Sequence, residues 1–223
     1  MLETQLQQKL LIDTTTVMTP SNDNQNQEEE EEEEINPKSP LEYHWSFWYI
    51  KPDKRTNWED SLIRIMDVKH VEDFWATYNH LQIPSKLAKD KSNCDYYFFK
   101  TGIRPMWEDP KNSSGGRWLL ILGRDESRLD EIWLETLLSL IGDLFSYESD
   151  SIPLSSMITG AVVNIRSRGH KIALWTSEAR NEMIVREIGR RWKKMIKLHP
   201  QSRLQFDLHN EGGGPHQRPM YEE

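Results

Sequence analysis

Two tryptophans of this chain stand where tryptophan has little packing to justify it. Trp58 lies in the polar stretch Lys51-Pro-Asp-Lys-Arg-Thr-Asn-Trp-Glu, and Trp107 lies in Arg104-Pro-Met-Trp-Glu-Asp-Pro, flanked by two prolines. Both stretches read as loops. An indole on a loop offers a flat face to a base or a cation. Two such faces around a base methylated at position 7, which carries a delocalised positive charge, would gain stacking plus a cation–π contribution. Glu108 and Asp109 follow Trp107 directly. A carboxylate there can accept two hydrogen bonds from the Watson–Crick edge of guanine, the one standard base with an adjacent N–H and amino group. A third segment, Arg166-Ser-Arg-Gly-His-Lys171, is followed by Trp175. Its arginine forks and lysine suit phosphate oxygens. Acid beside Trp107 and base in the third segment match a ligand with a cationic base and an anionic tail.

Other chemistries lack their residues. The seven histidines show no HExxH or paired metal spacing, and there is no CxxC, GxxxxGK[ST] or GxSxG. Glu178, Glu182 and Glu187 read as a solvated helix face rather than a metal-binding cluster. No catalytic constellation, metal site or cofactor is expected.

Charge narrows the ligand further. Of 28 bases and 36 acids, residues 1–40 hold two and ten, including the run Glu28–Glu34, which leaves 26 of each in the remainder. The net −8 therefore belongs to the first forty residues. A neutral remainder carries no broad, sequence-independent nucleic-acid footprint, so any nucleic-acid site must be small and local. The lone Cys94 fits a reducing, cytoplasmic setting. No apolar run approaches the roughly 18 residues of a membrane span, and the first residues do not read as a secretory signal.

These side chains need a scaffold. Residues 1–40 read as a disordered acidic tail, 41–206 as one domain, and 207–223, with its Gly-Gly-Gly-Pro stretch, as a flexible tail. Strand-like runs fall at 44–50, 62–66, 96–100, 117–122, 161–165 and 171–176. The run 166–170 between the last two reads as a tight hairpin loop, with Gly169 free to take positive φ. Helical spacing predicts three helices: 71–81, about 127–145, and a third starting after Thr176-Ser177 and running to about 198. On the second, Leu129, Trp133, Leu137, Leu140 and Leu144 form one stripe, with Leu134, Leu138, Ile141 and Phe145 beside it. Together they span about half the helix, wider than the usual ~100° core stripe. Periodicity alone leaves open a deep groove or an outward patch awaiting a partner. Trp45, Trp48, Trp118, Trp133 and Trp192 read as core.

Several segments, in order, resemble one family: Val71-Glu-Asp-Phe-Trp-Ala-Thr-Tyr-Asn-His80, Arg104-Pro-Met-Trp-Glu-Asp109, Gly115-Gly-Arg-Trp118, Ile132-Trp-Leu-Glu-Thr-Leu-Leu138, Gly160-Ala-Val-Val-Asn-Ile-Arg166 and Lys171-Ile-Ala-Leu-Trp-Thr176. They look like the translation initiation factor 4E family over about residues 41–200. The resemblance implies an α+β fold: a curved antiparallel β-sheet with three helices on its convex face and a site for the 7-methylguanosine cap of messenger RNA on its concave face. Trp58 and Trp107 match the family's stacking pair and Glu108 its guanine-reading carboxylate. Trp107 N–H would meet the 6-oxo group and Trp175 the methyl group. Arg166 and Lys171 match phosphate-binding positions, with Arg168 and Arg117 in support. Val71, Trp75, Leu134, Glu135, Leu138 and Ile141 match a dorsal surface. There the amphipathic helices of initiation factor 4G and the inhibitory 4E-binding proteins dock, so the resemblance favours the outward patch.

The match is incomplete. Ser39-Pro40 stands where the family commonly has His-Pro, and the stretch 146–159 is longer than usual. No Ser or Thr follows Ser202, so the family's regulatory serine phosphorylation is expected to be absent, and deleting 207–223 is expected to change cap affinity little. Three functional readings remain open: an initiation factor recruiting 4G, a repressor or adaptor that occupies the cap without productive recruitment, and an enzyme acting on capped RNA. Intact Trp58 and Trp107 favour the first.

Overall fold

The computed structural model describes residues 37–51, 57–124, 126–147, 150–209 and 219–223. The acidic run and the glycine-rich stretch 210–218 lie outside the described residues. Strands β1 (Pro40–Ile50), β2 (Leu62–His70), β3 (Cys94–Lys100), β4 (Gly116–Gly123), β5 (Ile158–Ile165), β6 (His170–Thr176), β7 (Gln205–Leu208) and β8 (Tyr221–Glu222) form one sheet in the order β2-β1-β3-β5-β6-β4-β7-β8. Every neighbouring pair is antiparallel. The helices are α1 (Val71–Tyr78), α2 (Pro84–Lys89), α3 (Leu129–Ile141) and α4 (Glu182–Met195).

Side chains alternate between faces along each strand, and the register converts that alternation into two cores. Trp45, Phe47, Phe98, Trp118, Ala161, Val163 and Leu174 pack with the helices, while Tyr97, Phe99, Leu119, Val162, Ala173 and Trp175 form a separate cluster on the other face. The central strand β3 is buried at six of its seven positions because both faces are covered. The helix layer is fixed by tryptophan handles. Trp118 Nε1 donates to Val185 O at 2.9 Å, and Trp192 Nε1 donates to Thr136 Oγ1 at 3.0 Å. At Gly189 a Cβ would sit 2.5 Å from the Trp118 ring, so a glycine is required for α4 to approach the sheet this closely.

All six expected strands form, and several boundaries differ. The C-terminal segment read as a tail contributes to the sheet: Asp207 and Leu208 continue β7, and Tyr221 and Glu222 add β8. The three expected helices form, and among the described residues Pro84 at the first helical position opens one further short helix, α2. The helix α3 stops at Ile141, and Asp143 takes a positive φ of 52°. The 100° periodicity therefore ends there, and the last residue of each stripe departs from it: Phe145 is fully buried and Leu144 is exposed. Helix α4 begins after Asn181, whose side chain accepts from Ile184 N, rather than after Thr176-Ser177. Glu178 holds the intervening turn by accepting from the N–H groups of Ala179 and Arg180. Trp45, Trp118, Trp133 and Trp192 are core as expected, whereas Trp48 is half-buried on the opposite face under Arg64.

Candidate functional site

A cavity of about 430 Å³ opens on the face opposite the helices. Its floor follows from strand register. Tyr97, Val162 and Ala173 are cross-strand partners on β3, β5 and β6, and Trp175 and Arg117 are partners on β6 and β4 one step along. All five side chains line the cavity. Its walls are residues 57–59 and 105–108, which bring Trp58, Trp107 and Glu108 to the same space.

The Trp107 loop is built to hold its shape. Asp109 accepts from Arg104 N and Lys111 N, each at 2.9 Å, and the buried Asn112 amide donates to Arg104 O (3.0 Å) and Met106 O (2.8 Å). These bonds satisfy the backbone inside the loop and leave Trp107 52% exposed. Trp107 N–H makes no hydrogen bond among the described residues. Trp58 precedes a 3-10 turn, Glu59–Ser61, and sets its edge against Tyr97 with ring centroids 6.5 Å apart.

The cationic residues divide into two groups. Arg117 lines the cavity, and its buried Nε has no hydrogen-bond partner among the described residues. Arg166 pairs with the buried Asp95 and also donates to Cys94 O and Ile165 O. Arg168 and Lys171 are exposed, and neither lines the cavity. Lys171 lies in register with Asn164, which does line it, so these bases sit beyond one end of the site.

Several residues escaped sequence reasoning. Asn57, Glu59, Tyr97 and Asn164 line the cavity. Asn164 was visible as the one polar residue within the apolar run Gly160-Ala-Val-Val-Asn-Ile165. His209 packs its ring on Trp175 at 4.0 Å. Burial, and then the nearby charge of Arg117, push its pKa down to about 3, so the ring is neutral near pH 7. The segment expected to be dispensable therefore backs the site, with Asp207 as the cross-strand neighbour of Arg117.

On the helix side, Trp75 is exposed, while Val71, Leu134, Leu138 and Ile141 are half-buried against the core. Glu135 pairs with Lys197 at 3.0 Å. The wide arc of α3 is thus buried along one flank and open along the other. No group of described residues could hold a metal ion, and no described helix is long and apolar enough to cross a membrane.

Comparison with known proteins agrees with this geometry. The family model described as "Eukaryotic initiation factor 4E" matches residues 40–221. Human eukaryotic translation initiation factor 4E is 46% identical over 174 residues, covering 77% of this chain and 76% of the human one. The crystal structure of Ascaris suum eIF4E-3 with m7G cap superposes with a TM-score of 0.75 at 37% identity, covering 83% of this chain and 98% of that one. The complex of C. elegans eIF4E-3 with the 4E-binding protein Mextli and cap analog gives a TM-score of 0.74 at 35% identity, covering 84% of this chain and 100% of that one.

Proposed function

The chain belongs to the eukaryotic initiation factor 4E family, and from that premise we propose that it binds the 7-methylguanosine cap of messenger RNA and recruits the scaffold 4G to promote ribosome loading. It acts by binding, in the cytoplasm, and not as an enzyme. The observation that carries this reading is the convergence of Trp58, Trp107 and Glu108 on one cavity from two separate loops. The methylated base lies between the two indoles. Glu108 accepts from its N–H and amino group, and the free N–H of Trp107 donates to the 6-oxo oxygen. Trp175 meets the methyl group.

The phosphates run from Arg117 toward Arg166, Lys171 and Arg168. Arg166 is held by Asp95 and backbone carbonyls, which leave its Nε–H and one Nη2 hydrogen for a phosphate. A guanidinium already fixed in place loses less freedom when it takes up an anion. The outward flank of α1 and α3, with Val71, Trp75, Leu134, Glu135, Leu138 and Ile141, receives an amphipathic helix of 4G or of an inhibitory 4E-binding protein. The two surfaces lie on opposite faces of the sheet, so cap and partner can be held together.

Retention on 7-methyl-GTP resin tests the site: Trp107→Ala should lose it, and normal retention would refute the assignment. Trp75→Ala should lose a 4G-derived helix while keeping the resin. A wild-type protein that keeps the resin but does not bind the 4G helix would instead be the cap-occupying repressor.

A further inference from the structure

The two loops that carry the site's tryptophans are joined by an ion pair. Glu59 follows Trp58 directly and lines the cavity, and Arg104 lies three residues before Trp107. Arg104 Nη2 and Glu59 Oε2 are 3.8 Å apart, with both side chains about half exposed. Among the described residues this is the one ion pair between segments 57–61 and 101–115. The two loops are unequal. Asp109 and Asn112 lock the Trp107 loop from within through four hydrogen bonds, whereas the turn at Trp58 is closed by Ser61, whose N–H and hydroxyl both donate to Asn57 O, and meets the floor through the edge contact with Tyr97. Arg104 belongs to the locked loop, since its own N–H and carbonyl take part in those bonds.

We infer that Glu59 and Arg104 are positioning residues, a latch that ties the Trp58 turn to the rigid Trp107 loop and sets the gap between the indoles before ligand arrives. This rests on reading the cavity as the cap site. Exposed ion pairs are weak and screened by salt, worth roughly one- to fivefold in an equilibrium. That suffices here, because the apparent affinity of a site scales with the fraction of molecules already in the binding-competent arrangement. The competing role for Glu59 is direct attraction of the cationic base. Charge reversal separates the two: a latch survives exchange of its ends, whereas an arginine at position 59 would repel the base.

The test uses the full chain with Glu59→Gln, Arg104→Gln and the double reversal Glu59→Arg with Arg104→Glu. Two quantities are read: affinity for 7-methyl-GTP at low and high salt, and amide hydrogen exchange of residues 57–62 without ligand. Each single change should weaken binding roughly two- to fivefold at low salt and less at high salt, and should speed exchange. The reversal should recover most of both. A reversal weaker than either single change, or single variants matching wild type in both readouts, would overturn the latch. Failure of the cap reading looks different: wild type would not bind 7-methyl-GTP, while the exchange rates would still report the latch.

Discussion

Arg166 grips Asp95 with both terminal guanidinium nitrogens, Nη2 standing 2.9 Å from Oδ2. The carboxylate is only 4% exposed, and the Tyr97 hydroxyl donates to it at 3.2 Å. Burial, with Asp95 next, holds the Tyr97 hydroxyl well above the ordinary phenol range. One residue expected to serve the ligand is thus also the counterion of a buried charge.

That dual role separates two variants. Arg166→Ala strands a buried carboxylate and should cost about 2 kcal/mol, below the full buried-pair penalty because the arginine is partly exposed. It should also weaken 7-methyl-GTP more than 7-methylguanosine. Adding Asp95→Asn should restore much of the stability and none of the phosphate preference. Denaturant unfolding and the two affinities check both statements.

Truncation after Phe206 should damage the site. It removes half of β7, all of β8, and the His209 ring behind Trp175. It also removes the Glu223 carboxylate that pairs with Arg186 and Arg190. Affinity for 7-methyl-GTP should fall at least severalfold and the melting temperature should drop. An unchanged affinity would show that the C-terminal strands do not support the cavity.

His209 makes acid stability a local property. Its folded pKa, about 3, lies below the ordinary 6.5. Between those values the unfolded chain takes up a proton that the folded chain refuses, so this contribution is intact above pH 6.5 and is lost as pH falls toward 3. His209→Gln should flatten that part of the stability profile relative to wild type, as read by thermal melts at successive pH values.

The long stretch after α3 should depend on one arginine. Arg191 pairs with both Asp150 oxygens at 2.6 and 2.8 Å, donates to Phe145 O at 2.7 Å, and covers the Tyr147 ring at 4.0 Å. The hydrogen bond from Arg191 holds Asp150 down to about 2, so this pairing persists above the ordinary carboxylate range and weakens as pH falls toward 2. Arg191→Ala should lower the melting temperature and open residues 150–157 to limited proteolysis without altering retention on cap resin.

The sheet was legible where composition and alternation agreed. The aromatic run Tyr96-Tyr-Phe-Phe-Lys100 read as a strand and forms most of β3, while its central place in the sheet came only from the pairing. The run Gln205-Phe-Asp-Leu208 was not legible, because two of its four residues are polar and its pairing with β4 is set by tertiary contact. Leu144 and Phe145 left their stripes because periodicity cannot see where a helix stops. Trp58, Trp107 and Glu108 were visible one loop at a time. That they share a cavity with Asn164 and Tyr97 follows from register between strands distant in sequence. The Arg166–Asp95 pair joins residues 71 apart and leaves no local trace.

The central claim is that this cavity reads a positively charged, methylated guanine between Trp58 and Trp107. The direct measurement is a titration of the full chain with 7-methyl-GTP and with GTP, followed by quenching of tryptophan fluorescence. Stacking with a cation–π contribution predicts preference for the methylated nucleotide by roughly a hundredfold, with that preference lost in Trp107→Ala. Equal affinity for the two nucleotides, or a preference undiminished in Trp107→Ala, would contradict the account.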